Sequence, residues 1–182
     1  MALEIEKKYR LTPRERDVVL KRLGEVNAQF GGEAFEENTL YSGGVIDQKN
    51  CVLRLRRVGG KAILTYKERH QSSSAIKQQR EDETQIDDAD AMAAILEALG
   101  YKPAIVYEKR RATWRVANTE VVMDELPFGL FMEIEGEEED IVKAESLLEL
   151  GEVSPEMATY PQLTVQHGKQ NGDVIEARFL SA

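Results

Sequence analysis

EIEKKY, residues 4–9, puts Glu4, Glu6 and Lys8 at one parity and Ile5, Lys7 and Tyr9 at the other. This is the period of a β-strand, so two carboxylates and an ammonium share one face. Such a face looks either at bulk water or at something that needs both signs of charge. The pattern then recurs along the chain. Arg54 and Arg56 share a face opposite Leu53 and Leu55, and Thr65 shares one with Lys67. Glu81 and Glu83 do so in REDETQ, Lys109 and Arg111 in YEKRRATWR, and Glu133 and Glu135 in FMEIEGE, while Asp124 ends VVMDELP.

Period-2 segments predict strands near 2–10, 35–42, 51–58, 61–69, 77–86, 104–116, 119–125 and 129–137. Gly59-Gly60 predicts a tight hairpin and Pro127 to Gly129 another. Thr12-Pro13-Arg14-Glu15 reads as a capping box opening a helix that stops near Gly24. DADAMAAILEAL, residues 88–99, and EEDIVKAESLLEL, residues 138–150, read as amphipathic helices closed by Gly100 and Gly151, and Ser154-Pro155 starts a short further turn. Helices inserted between antiparallel strands give an α+β class, and closing eight strands into a barrel removes exposed edges.

The chain of 182 residues is read as one domain over 1–182, with 42% hydrophobic and 31% charged residues. No apolar run is long enough to cross a bilayer, and MALEIEKKY has no signal-peptide core, so no membrane partner and a cytoplasmic location are expected. A net charge of −9 argues against nucleic acid as a partner. Two histidines, His70 and His167, and one cysteine, Cys51, do not build a zinc site. Cys51 shares the parity of Leu53 and reads as a buried structural thiol. Any metal would be a hard cation on carboxylates. Trp114 and residues 101–107 are expected on the barrel's outer face, and Ser72, Ser73 and Ser74 in an exposed loop.

Alternation does not say which face is inside. A solvated face alternates too, and its cross-strand charge pairs contribute little. If the charged faces point inward, desolvation is costly unless a highly charged ligand satisfies them. Arginines two apart suit phosphate oxygens, and paired carboxylates suit Mg²⁺ or Mn²⁺.

The ordered set resembles the CYTH, or triphosphate tunnel metalloenzyme, superfamily over residues 2 to about 170. The matching motifs are the E-x-E-x-K opening, LRLR, TYK, REDE, EKRR and DELPFGLFMEIEG. The resemblance implies an eight-stranded antiparallel barrel around a charged tunnel, with helices packed outside. It implies Lys8, Arg54, Arg56, Lys67 and Arg111 as phosphate ligands, with Lys109 and Lys169 beside them. It implies Glu4, Glu6, Glu133 and Glu135 as ligands of Mg²⁺ or Mn²⁺, with Asp124, Glu81 and Glu83 as further candidates. Glu4, Glu6, Lys8, Glu133 and Glu135 are the residues expected to matter for catalysis. Seven bases and seven acids then leave the empty tunnel near neutral.

Family members are triphosphatases or class IV adenylyl cyclases. Hydrolysis of a small-molecule triphosphate (inorganic, thiamine or nucleoside) is the favoured activity, with conversion of ATP to cyclic AMP and pyrophosphate as the alternative. A non-catalytic polyphosphate-binding module is the third reading. FEENTLY, with Glu37, Asn38 and Tyr41, resembles the second strand of the cyclase-like branch. Monomer and homodimer are both compatible with the sequence.

Overall fold

A computed structural model describes residues 2–49, 51–69 and 75–180. The expectations for His70 and for Ser72, Ser73 and Ser74 fall outside the described residues. The chain begins with β1 (Ala2–Leu11), α1 (Pro13–Glu25), β2 (Gln29–Ser42), α2 (Gly44–Gln48), β3 (Cys51–Val58), β4 (Lys61–Arg69) and β5 (Ile76–Ile86). It continues with α3 (Ala89–Ala98), β6 (Lys102–Val116), β7 (Thr119–Leu126), β8 (Gly129–Glu135), α4 (Glu138–Leu147), α5 (Tyr160–His167), β9 (Lys169–Asn171) and β10 (Val174–Ala177). Antiparallel pairing runs β2-β3-β4-β5-β1-β8-β7-β6, and β6 pairs back onto β2. That closes an eight-stranded barrel. β10 then adds in parallel to β6 and carries β9 at its edge.

The eight strands lie where the alternation puts them, but β2 starts six residues before the predicted 35. Its early part pairs with β6 through a bulge between Phe30 and Gly32, which blurs the period of two. The β3–β4 turn holds Gly59 at φ 54° and Gly60 at φ 76°, the left-handed pair that a two-residue hairpin requires. At α1, Thr12 Oγ1 accepts from Glu15 N at 3.2 Å and Thr12 N donates to Glu15 Oε2 at 2.7 Å, completing the capping box.

Packing settles which face is inside. Ile5, Tyr9, Val121, Met123, Met132 and Ile134 point outward and are buried under α1 and α4 by Val19, Leu23, Ile141 and Leu148. Glu145 of α4 accepts hydrogen bonds from Tyr9 and Lys7, tying that helix to β1. Leu55 and Ala62 face outward under Leu96 of α3. A third cluster, including Tyr107, Phe131, Tyr160 and Leu163, gathers where α5 crosses one end of the barrel. The hydrophobic burial that holds the fold is therefore mostly on the outside of the sheet, and the opposite parity faces the lumen. Trp114 lies on the outer face, its ring tilted at 52° to that of Phe30 with 5.3 Å between centroids. Tyr107 departs from expectation: it shares parity with Lys109 and lines the lumen. Cys51 is half-buried, with Sγ 3.0 Å from Tyr66 Oη.

Candidate functional site

The lumen is a tunnel of about 560 Å³. Lys8, Arg54, Arg56, Lys67, Lys109 and Arg111 line it, together with Glu4, Glu6, Glu81, Glu83, Glu133 and Glu135. Cross-strand register explains why residues distant in sequence meet. Arg54 lies opposite Thr65, and Thr65 opposite Glu83. Lys67 lies opposite Glu81, and Lys8 opposite Glu133. Directly opposed residues share a face, so inward parity on one strand carries over to its neighbours.

Acids and bases interlock. Lys67 Nζ bridges Glu4 at 2.7 Å and Glu81 at 2.8 Å, and Gln79 Nε2 donates to Glu4 at 2.7 Å. Arg54 and Arg56 each reach Glu83 at 3.2 Å, and Thr65 donates to the same oxygen at 2.6 Å. Arg111 pairs with Asp124 through two contacts, 2.8 and 2.5 Å, and with Glu133 at 2.7 Å. Lys109, 2% exposed, lies 3.4 Å from both Glu36 and Asp124. Lys8 sits 3.3 Å from Glu133 and 3.9 Å from the centre of the Tyr160 ring.

Titration follows this arrangement. Burial opposes charge on Glu4, but the hydrogen bond with Glu81 and the Lys67 ammonium hold its carboxyl down at about 2. Glu81 is pushed up to about 8 by burial and by sharing a hydrogen bond with Glu4. Glu135 is pushed up to about 7 by burial and by Glu4 and Glu120. Burial and Glu133 raise Glu6. Burial, then Arg111, lowers Lys109.

Two predicted residues lie away from the lining. Lys169 is exposed on β9, outside β10, so it is not a wall residue. Asp124 faces inward opposite Arg111 but is buried beneath its partners, its carboxylate occupied by Arg111, Lys109 and Tyr160 Oη at 2.8 Å. Burial works against its charge, yet Arg111 and Lys109 hold it well below the usual carboxylate range. Lys77 and Glu120 line the tunnel instead, so the described lining again holds seven bases and seven acids. In FEENTLY, Asn38 is buried with Nδ2 3.4 Å from Glu36, whereas Glu37 faces out to Arg178 and Tyr41 packs beneath α3.

Glu36, Glu120 and Tyr160 were missed by the sequence reading. Glu120 shares parity with Asp124, a signal that was available. Glu36 is obscured by the Glu36-Glu37 doublet, and Tyr160 arrives from α5 with no local pattern to announce it.

Glu6 lies opposite Glu135, and Glu135 opposite Glu120, a row of carboxylates across three strands. Their oxygen donors, with Glu6 and Glu135 raised by burial and then by like charge, suit a hard divalent cation. Among the described residues, no three such side chains are already gathered as a metal cage.

The CYTH domain model matches residues 2–160. The chain belongs to the CYTH domain family. A Methanocaldococcus jannaschii protein named as a candidate adenylate cyclase is 27% identical over 150 residues, 81% of this chain and 84% of that one. The solved PH1819 protein of Pyrococcus horikoshii is 26% identical with a TM-score of 0.72, covering 90% of this chain and 98% of that one. A Hippeastrum protein, described as a candidate adenylyl cyclase with a dominant triphosphatase activity, is 21% identical with a TM-score of 0.66. It covers 89% of this chain and 94% of its own, and shows the shared CYTH fold. Among the described residues, no helix is long and apolar enough to cross a membrane.

Proposed function

We propose that this CYTH protein is a divalent-metal-dependent hydrolase that binds a triphosphate in its tunnel. The observation that carries the reading is the buried Nε of Arg54 and of Arg56, each without a hydrogen-bond partner, in a lumen lined by further bases. A buried donor without an acceptor is costly, and phosphate oxygens supply acceptors with matching charge. Lys8, Arg54, Arg56, Lys67, Lys109 and Arg111 grip the phosphate chain and neutralise the charge that grows on the leaving diphosphate. Tyr160 and Asp124 fix Lys8, Lys109 and Arg111 from behind.

Glu4, Glu6, Glu133 and Glu135 would hold Mg²⁺ or Mn²⁺, which when bound supplies Lewis-acid polarisation of phosphoryl oxygens. Water forms the new bond to the terminal phosphorus as the bridging P–O bond breaks. A lumen carboxylate takes the proton that the water loses.

The M. jannaschii relative's name favours a second reading, cyclisation of ATP. Hydrolysis is preferred because the described lumen lining serves phosphates, and because a CYTH-fold neighbour considered as a cyclase has a dominant triphosphatase activity.

Purified protein with Mg²⁺ or Mn²⁺ should release orthophosphate from tripolyphosphate, ATP or thiamine triphosphate. Cyclic AMP and pyrophosphate in excess of orthophosphate would establish the cyclase. Tight tripolyphosphate binding with no turnover would establish a binding module.

A further inference from the structure

FEENTLY leaves one buried polar group without a partner. Asn38 of β2 is 0% exposed. It lies opposite Arg56 of β3 on one side and Tyr107 of β6 on the other. Both neighbours line the lumen, so Asn38 faces inward, although it is not itself part of the described lining. Its Nδ2 donates to Glu36 Oε2 at 3.4 Å, and its Oδ1 has no hydrogen-bond partner among the described residues. The chemistry of Glu36 fixes which way round the amide stands. Burial opposes charge on Glu36, but Lys109, Arg111 and Arg56 keep its carboxyl below the ordinary value. An ionised carboxylate only accepts, so the amide nitrogen faces it and the amide oxygen is the atom left over.

Arg56 carries donors to match. A guanidinium has five N–H donors. At Arg56, Nη2 reaches Glu83 at 3.2 Å, while the buried Nε stays 3.8 Å from Glu36 Oε2. That same Glu36 oxygen receives the Asn38 amide, so amide and guanidinium meet around one atom. Of the three arginines in the described lining, Arg56 alone has its charge disfavoured, by burial and then by Arg54. Strand order explains why the two are apart in the empty tunnel. Glu83 on β5 draws Arg56 to one side of β3, and Asn38 on β2 lies on the other. A phosphate that takes Arg56 from Glu83 releases this tether. A phosphate fork then engages two of the five donors, and the rest of the buried guanidinium still needs an acceptor.

We propose that Asn38 is a positioning residue for phosphate binding: once a phosphate displaces Glu83, Asn38 Oδ1 accepts an N–H of Arg56 that the phosphate leaves free. The guanidinium is thereby aimed from behind, and Asn38 acts without touching substrate. The inference rests on the tunnel reading above and adds a residue that works through Arg56.

The test is calorimetric binding of tripolyphosphate to the full chain without divalent metal, so that no turnover intervenes. Asn38→Ala should weaken binding by about tenfold or more, the effect of one hydrogen bond to a charged group. In an Arg56→Ala background the same substitution should change Kd little. A role confined to packing or to Glu36 would weaken binding equally with and without Arg56, and that result overturns the proposal, as does unchanged affinity in Asn38→Ala. Asn38→Asp keeps the accepting oxygen and nearly the same shape while giving up the donor toward Glu36, so it decides the matter even if the alanine variant does not fold. An ionised acceptor bonds a guanidinium more strongly, so Arg56→Ala should cost more affinity in the aspartate background than in the wild type. An equal or smaller cost overturns the proposal. Arg54→Ala separates the two readings: lost affinity there keeps the tunnel assignment even when the Asn38 assignment fails, and unchanged affinity removes the tunnel assignment itself.

Discussion

Asp124→Asn distinguishes an internal counter-ion from a metal ligand. Asp124 is 1% exposed and faces Arg111 through two contacts, Lys109 at 3.4 Å and Tyr160 Oη at 2.8 Å. The amide keeps an acceptor for Tyr160 but removes the charge that two buried cations face. Breaking such a buried pair costs about 3–5 kcal/mol. Arg111 retains Glu133 at 2.7 Å and Lys109 retains Glu36 at 3.4 Å, which puts the loss at the lower end, about 3 kcal/mol. For a chain of this length, that lowers Tm by about 6–12 °C. Thermal unfolding without metal gives the stability, and calorimetric titration with Mn²⁺ at a temperature where the variant is folded gives the affinity. The expected outcome is a large fall in Tm with little change in Mn²⁺ affinity. A variant that melts with the wild type but no longer binds Mn²⁺ would refute the reasoning and restore Asp124 as a ligand.

Other perturbations test the lumen directly. Arg54→Ala removes charged hydrogen bonds worth about 1.5–3 kcal/mol, so KM for tripolyphosphate should rise about 10- to 150-fold; an unchanged KM places the phosphate elsewhere. Glu135→Gln should lower kcat by about 10²-fold or more and, at pH 8, melt no lower than the wild type, because it removes a charge from beside Glu4, Glu120 and Glu6. Loss of folding instead would mark Glu135 as structural. The raised Glu135 carboxyl also fixes a pH trend. Its contribution to stability is complete below the ordinary value of 4.5 and is lost as pH climbs through about 7. Cation binding offsets that loss, so the Mn²⁺-induced rise in Tm should grow between about pH 5 and pH 8; a pH-independent rise contradicts the assignment.

Legibility followed the range of the interactions. The strands of the barrel are set by a two-residue period that any short window shows, and the Gly59-Gly60 turn and the Thr12 cap are decided by neighbours in sequence. Inward or outward was not decided locally, because EIEKKY has the same alternation on either orientation. Only Ile5 and Tyr9 packing under α1 and α4 fixes it, and those helices come from distant segments. The same limit applies at the site. Lys169 and Tyr160 belong to the segment after α4, which reaches the barrel through long-range contacts such as the Tyr9–Pro155 bridge and the bond from Glu156 N to Lys8 O. Tyr107 lines the lumen, against the expectation for residues 101–107, because it shares the parity of Lys109. α2, β9 and β10 are too short for a period to register.

The pairing inside the tunnel implies that substrate and cation bind in concert. Lys67 is held between Glu4 and Glu81, so a phosphate that takes Lys67 leaves the Glu4–Glu81 pair without its cation. A divalent cation that takes Glu4 in turn releases Lys67 toward the phosphate. Each ligand relieves the electrostatic cost created by the other, which is positive coupling, and linkage makes it reciprocal. The expected size is about 1–3 kcal/mol, or 5- to 150-fold in each Kd. Mn²⁺ titrations with and without a hydrolysis-resistant triphosphate analogue measure it, after correction for the complex that the two form in solution. Lys67→Ala should abolish most of the coupling while both ligands still bind, because the carboxylates are then already without their ammonium. Equal coupling in wild type and variant would mean that Lys67 does not exchange partners, and that metal and phosphate occupy the lumen independently.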